Sequence, residues 1–260
     1  MVELRLASIP NLITFLKRLK SVDRSVLLEL TPQEIFCKVH TPDKSVMKYS
    51  YLEFQEVFDG HIDPEVILKG KPGKVMIKIG LIEVGKFIDC FKHFRPEEEV
   101  IMQIKTELLD GSCVATEINL NSKSLNIKVK CADLSLLSYV EDEILSMVHS
   151  KEDPIAKFKI YQSDFSSIVS LCGLESNSEE LLAFDVTAKE VRVKGESFNY
   201  RVNVGADEIS AAQKPAPSSI YKNQLSYMES ETCECYIHEN RIVLFSEQST
   251  TSIAFGVVIK

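Results

Sequence analysis

Alternation of apolar and polar positions is the dominant pattern along this chain. Val2 to Ala7, Val26 to Leu30, Ile35 to Val39, Val46 to Tyr51, Val75 to Ile79, Val100 to Ile104, Val114 to Leu120 and Leu125 to Cys131 follow period two and are rich in β-branched residues. Each predicts a strand. Two segments change to helical spacing: Pro10 to Lys20, with Leu12, Phe15, Leu16 and Leu19 at i, i+3, i+4 and i+7, and Leu81 to Phe94, with Val84, Phe87, Ile88 and Phe91. One apolar stripe on each predicts an amphipathic helix lying on a sheet.

A stretch rich in leucine and acid runs from Ala132 to Pro154, and the pattern then restarts. Strand Ala156 to Tyr161, helix Ser163 to Leu174 and strand Leu181 to Val186 lead to a strand at Phe198 to Val204 and a short helix near Asn223 to Met228. Strands Cys233 to Ile237, Arg241 to Ser246 and Ser252 to Ile259 close the chain. At an offset of 156 residues, the segment from Leu28 to Lys38 falls on that from Phe184 to Lys194, sharing Thr31/Thr187, Glu34/Glu190 and Lys38/Lys194. A strand, turn and strand repeated after a matching strand and helix predicts two copies of one architecture. The expected fold is α+β, with a first domain at 1–131, a connector at 132–154 and a second domain at 155–260.

Composition narrows the class. With 260 residues, 45% hydrophobic and 26% charged, the chain is long enough for a sizeable core. No apolar run approaches the length needed to cross a bilayer, and the opening Met-Val-Glu-Leu-Arg has no secretory pattern, so an intracellular location is expected. The seven cysteines are odd in number and scattered, which reads as reduced core thiols. The net charge of −8 argues at first against a polyanionic partner. It is unevenly placed: residues 1–131 hold 19 Lys and Arg against 18 Asp and Glu, whereas residues 132–260 hold 11 against 20.

The order of elements, with its repeat, resembles the DNA sliding clamps of the proliferating cell nuclear antigen type, including phage and viral members. Val2-Glu-Leu-Arg-Leu-Ala, the helix carrying Lys17, Arg18 and Lys20, and Ser25-Val-Leu-Leu-Glu-Leu-Thr-Pro-Gln-Glu-Ile are similar to the family's opening. Thr41-Pro-Asp-Lys-Ser-Val-Met47 resembles its Asp-Pro-Ser loop. The resemblance covers nearly the whole chain, with two departures: Val257-Val-Ile-Lys260 holds none of the acidic run usual in the family after the last strand, and the helix from Ser163 has serines where basic residues are usual. It implies three copies joined head to tail in a ring, sheets outside and helices lining a hole for duplex DNA.

What such a ring must do sets the candidate residues. A clamp that slides needs cations reaching phosphates without reading bases, which on the two helices and after them implies Lys17, Arg18, Lys20, Arg24, Lys86, Lys92, His93, Arg95 and Lys222. Taken singly, each reads as a solvated residue. Subunit contact is implied along Leu125, Ile127 and Val129 of one copy and Tyr200, Val202 and Val204 of the next. Partner peptides from DNA polymerase and other replication proteins are implied to bind at Val39, His40, Val46, Met47, Leu134, Leu136, Leu137, Tyr139, Ile242, Val257 and Val258. An ATP-dependent loader is the further expected partner, no cofactor is expected, and the location implied is the nucleus of a eukaryote or otherwise the cytoplasm. The alternatives are a diverged clamp-like scaffold for checkpoint or transcription machinery, or an unrecognised β-rich enzyme.

Two other motifs point elsewhere. Gly80-x-x-x-x-Gly85-Lys86 matches the first part of a phosphate-binding loop, but Phe87 stands where the metal-binding hydroxyl belongs. Cys233-x-Cys235 with His238 lacks further ligands at zinc spacing, and on a strand the two thiols share one face with Ile237.

Overall fold

In the computed structural model, residues 1–62, 76–109, 112–173, 181–205, 209–211 and 218–256 are described. They form two compact units, one of residues 1–39 and 50–140, the other of residues 40–49 and 141–260. The stretch expected as a connector is thus divided after Val140, and the loop after Val39 clusters with the second unit.

Unit 1 holds β1 (Val2–Leu6), α1 (Ile9–Lys20), β2 (Val26–Leu30), β3 (Glu34–His40), the second half of β4 (Val46–Glu53), the single turn α2 (Phe54–Val57) and β5 (Phe58–Asp59). It continues with β6 (Ile77–Leu81), α3 (Val84–Cys90), β7 (Ile101–Leu109), β8 (Ser112–Asn121) and β9 (Asn126–Lys130). The sheet order is β3-β2-β6-β8-β7-β1-β5, with β9 also on β8. It is antiparallel apart from a short parallel contact, Ile77 with Cys113 and Lys78 with Val114. Ser8 caps α1 by accepting the Asn11 N–H at 3.3 Å, and Leu12, Phe15, Leu16 and Leu19 are buried. The helix from Leu81 is shorter than its apolar spacing suggests. Leu81 ends β6, the Val84 N–H donates to the Arg24 carbonyl at 2.9 Å, and after Cys90 the helix tightens to a 3₁₀ turn (Phe91–His93) ahead of Pro96.

β2 is buried at every position, so both of its faces are covered. On the face of Leu27, the chain after β9 packs: Leu27, Ala132 and Leu137 form a buried cluster with Leu134 against it. Gly80 makes this approach feasible, because a Cβ there would stand 2.8 Å from both the Ala132 carbonyl oxygen and the Leu137 Cδ1. The same face holds a buried ion pair, Lys38 Nζ to Glu29 Oε2 at 2.9 Å, with Lys38 and Lys78 each 5.4 Å from the centre of the Tyr139 ring.

Unit 2 holds the first half of β4, α4 (Asp142–Val148), β10 (Ala156–Ile160), α5 (Gln162–Cys172), β11 (Leu181–Val186), β12 (Val191–Lys194) and β13 (Asn199–Val202). β14 (Ser210–Ala211), β15 (Ser218–Tyr221), a 3₁₀ turn (Lys222–Tyr227), β16 (Cys233–Ile237), β17 (Arg241–Ser246) and β18 (Thr251–Gly256) complete it. One sheet runs β14-β10-β16-β17-β18 to the start of β4, where the Gly256 N–H donates to the Ser45 carbonyl at 2.9 Å; the other runs β13-β12-β11-β15. Their common core includes Phe158, Phe165, Ile168, Phe184, Val193, Leu225, Cys233, Cys235 and Phe255. The expected strand from Phe198 to Val204 is confined to Asn199–Val202, and the short helix near Asn223 is a 3₁₀ turn. Val75, Leu174 and residues 257–259 of the expected elements lie outside the described residues.

The repeat extends to individual hydrogen bonds. The Thr31 N–H and hydroxyl donate to the Glu34 carbonyl at 2.8 and 3.1 Å, and those of Thr187 to the Glu190 carbonyl at 2.9 and 3.1 Å. The ion pair of Lys38 with Glu29 recurs as Lys194 with Asp185 at 2.7 Å, from the same places in the hairpin. The environments differ, since the first pair is at most 4% exposed and the second about 40%. Removing one partner of a buried pair strands a desolvated charge, whereas an exposed pair is screened. Glu29→Leu should therefore cost about 3–5 kcal/mol in urea unfolding and Asp185→Leu under about 1 kcal/mol, a contrast that equal losses would overturn.

Candidate functional site

In unit 1 the burial of one helix stripe fixes what the other side presents. α1 turns Thr14, Lys17 and Lys20 outward with Arg18 half-buried, and Arg24 is exposed just after it. α3 and the turn beyond it expose Lys86, Lys92 and His93, followed by exposed Arg95. Lys92 lies 2.7 Å from Asp89 and Lys86 4.0 Å from Glu83. Both are exposed pairs one turn apart, and such pairs neutralise a patch only partly. The Lys92 ammonium holds the Asp89 carboxyl below its ordinary range. A Cβ at Gly85 would meet Lys20 Cε at 3.2 Å and Nζ at 3.1 Å, so the Lys20 side chain crosses the α3 backbone and joins the cations of both helices on one surface.

The corresponding helix of unit 2 is different. α5 has no Lys or Arg, and Ser163, Ser166 and Ser170 are exposed on it. Lys222, the unit's member of the expected cation set, donates to the Cys172 carbonyl at the end of α5 at 3.4 Å.

The expected contact strands are both edges. Among the described residues β9 pairs only with β8, and β13 only with β12. Leu125, Ile127 and Val129 are half-buried and line two adjoining hollows beside α3, of about 310 and 640 Å³, together with Lys86, Phe87, Cys90 and His93. On the other edge Val202 belongs to the core and Tyr200 is half-buried, its hydroxyl donating to Asp164 Oδ1 at 2.7 Å; Val204 lies beyond the strand.

Unit 2 also carries a groove of about 240 Å³ between the loop before β4, the end of α4 and strands β17 and β18. Lys44, Ser45, Met47, Met147, Val148, Asn240, Arg241 and Ala254 to Gly256 line it. The loop is held by Asp43, whose carboxylate accepts from the Thr41 hydroxyl at 2.5 Å and the Ser45 N–H at 3.1 Å, and which is kept below the usual carboxylate range mainly by the Thr41 hydroxyl. That turn sets Lys44 at φ +58°. On the far side Arg241 Nε donates to the Val148 carbonyl at 2.8 Å, and His149 Nδ1 lies 2.7 Å from the Ser252 hydroxyl. Burial, with Arg241 adding, pushes the His149 imidazole down to about 4.

Of the residues expected at a partner groove, Met47 lines it. Val39, Val46 and Ile242 are buried in the cores, because the alternation that exposes Met47 turns Val46 inward. His40 is half-buried, with Nδ1 2.7 Å from the Thr41 carbonyl. Leu134 and Leu137 pack on Leu27 in unit 1, where Leu136 is 69% exposed and Tyr139 45%. Val257 and Val258 lie outside the described residues. Sequence reasoning missed Met147, Val148, Arg241 and Phe255. A Met-Val pair closing the connector was the available signal.

The set-aside motifs have structural explanations. Gly80 admits the Ala132 backbone and Gly85 the Lys20 side chain, while Phe87 is buried. Cys233 and Cys235 are core residues, burial pushing the Cys233 thiol up to about 12, and no group of metal-ligating side chains converges among the described residues.

Solved structures with this architecture extend over the whole chain. The structure described as the C-terminal region of FEN-1 bound to A. fulgidus PCNA matches at a TM-score of 0.69 and 12% identity, covering 100% of this chain and 99% of that one. PCNA from Thermococcus kodakaraensis matches at 0.66 and 12%, covering 98% and 99%. The fold is that of the DNA sliding clamps. A chain provisionally described as the DNA polymerase III beta subunit of Eubacterium rectale ATCC 33656 also has the clamp fold, at 0.70 and 11% identity over 100% of this chain and 66% of that one. No protein-family model matches the sequence, and no curated protein sequence does.

The groove of this clamp fold makes its own pH prediction. The folded His149 binds a proton more weakly than an unfolded histidine, so its contribution is complete above about 6.5 and is lost as the pH falls toward about 4. Unfolding free energy should decline over that window and decline less in His149→Asn, measured by urea titration at pH 7, 5.5 and 4.5; parallel pH profiles would refute the assignment.

Proposed function

We propose that this chain is the subunit of a DNA sliding clamp, a processivity factor that encircles duplex DNA as a ring of three copies and tethers DNA polymerase and other replication and repair proteins. One observation carries the reading: in a chain of net charge −8, the helices of unit 1 bury an apolar stripe and turn Lys17, Lys20, Lys86 and Lys92 to the opposite side. A cationic surface without base-reading groups holds phosphates while leaving sequence unread, which is what sliding requires. The edge of β9, with apolar residues beside it, is proposed to pair with β13 of a second copy, which would satisfy both edges. Short peptide motifs of the polymerase and other partners would use the groove beside Met47 and Met147, and an ATP-dependent loader would open the ring. No chemical step is assigned to the chain, and the working location is intracellular.

The bare surface of α5 favours a second reading, a clamp-like scaffold that serves checkpoint or transcription machinery and holds DNA weakly. Retention on DNA separates the two. Lys17→Glu with Lys86→Glu should shorten the lifetime on nicked circular DNA by at least about tenfold and flatten its salt dependence, with the trimer mass intact by analytical ultracentrifugation. Lys222→Glu, on a cation already engaged with the Cys172 carbonyl, should change little. Unchanged retention in the double variant would overturn the DNA-channel assignment, and a monomer at micromolar concentration would overturn the ring.

A further inference from the structure

Among the described residues, most cations on the strands of unit 2 have an acid beside them, and those at the groove do not. Lys151 and Lys157 pair with Glu234, Lys159 with Glu247, Arg192 and Arg201 with Glu190, and Lys194 with Asp185. Lys44 and Arg241 face the groove and, among the described residues, neither has a carboxylate within 4.0 Å. Arg241 spends Nε on the Val148 carbonyl and Nη1 on Asn240 Oδ1, which leaves Nη2 directed to no acceptor among the described residues. The one acid in the loop, Asp43, is occupied by Thr41 and Ser45. Two cations without counter-charge therefore flank an apolar floor of Met47, Met147 and Phe255, in a unit whose remaining surface is predominantly acidic.

We propose that this groove selects peptides in which an apolar anchor is accompanied by an acidic side chain, with Lys44 and Arg241 as the residues that determine the preference. The proposal rests on the reading of the groove as a peptide-docking site. A carboxylate seated between the two cations gains a charge-assisted hydrogen bond to Nη2 without displacing an existing pair, while a basic peptide meets repulsion from both. Lys44 suits this role because its turn holds it at φ +58° beside the groove.

The test is selection from a random heptapeptide display library on the full chain, with Met147→Asp as the groove-blocked control. Peptides that depend on Met147 should be enriched in Asp or Glu next to an apolar residue. Changing that acid to its amide should weaken binding about tenfold in fluorescence anisotropy. The preference should fall away in Lys44→Gln and Arg241→Gln and persist in Arg241→Lys; Lys44→Gln touches no core contact and keeps the test valid if Arg241→Gln loosens α4. Apolar peptides that depend on Met147 without acid enrichment would overturn the proposal and leave the docking site standing. Failure to select any peptide that depends on Met147 would overturn both.

Discussion

A sheet buried on both faces is the constraint on which unit 1 depends. β2 has no exposed position, and its neighbours carry apolar residues on each side, so both faces need a covering layer. One layer consists of α1 and α3, whose stripes of Leu12, Phe15, Leu16, Leu19, Val84, Phe87 and Ile88 leave no apolar residue for their outer side. The other is the chain from Ala132 to Val140, which lies close enough to Gly80 to exclude a Cβ. Each covering layer then dictates a surface. With their apolar stripes committed to the core, the helices turn polar residues outward, Lys17, Lys20, Lys86 and Lys92 among them, and the second layer seals Lys38 and Glu29 from water, which turns an ordinary cross-strand pair into one with large consequences.

The same hairpin shows how a shared architecture accommodates different environments. Thr187 and Glu190 reproduce the turn of Thr31 and Glu34, and Lys194 with Asp185 reproduces the ion pair, yet this second pair is about 40% exposed and, among the described residues, no layer like residues 132–140 seals it. The turn geometry is local, fixed by a Thr hydroxyl that accepts from the backbone two and three residues on, and so it survives in either setting. The energetic weight of the pair is set by what covers it.

This distinction explains how much was legible in the sequence. Local patterns were readable: the period of the strands, the stripe of α1, and a repeat of few identities that proves to carry the same hydrogen bonds. The groove was harder, because an apolar residue in a connector looks the same whether it caps a core or lines a cleft. Leu137 is buried and Leu136, its neighbour, is 69% exposed, a difference made by a 3₁₀ turn (Leu134–Leu136) that apolar spacing does not encode. Val46 and Met47 are adjacent in β4, and a strand sends adjacent side chains to opposite faces, so only one of them can line the groove. The glycines of the apparent phosphate loop were likewise real signals of close approach, by a backbone in one case and a lysine side chain in the other.

Low identity with a shared fold has a physical basis in these same layers. An apolar stripe on a helix and an alternating strand can be filled by many residue types of similar volume, so the clamp architecture persists at 11–12% identity. Charge has fewer constraints still, since a solvated lysine costs the fold almost nothing to place or remove. The chain uses that freedom unevenly. In unit 2 Lys157, Lys159, Arg192, Lys194 and Arg201 of the strands are paired with acids and α5 has no Lys or Arg, while in unit 1 the helix cations Lys86 and Lys92 are opposed by exposed acids one turn away. A surface that must hold a mobile polyanion needs cations whose partners are easily exchanged, and pairs as exposed as Lys86 with Glu83 meet that need, whereas a pair sealed like Lys38 with Glu29 does not.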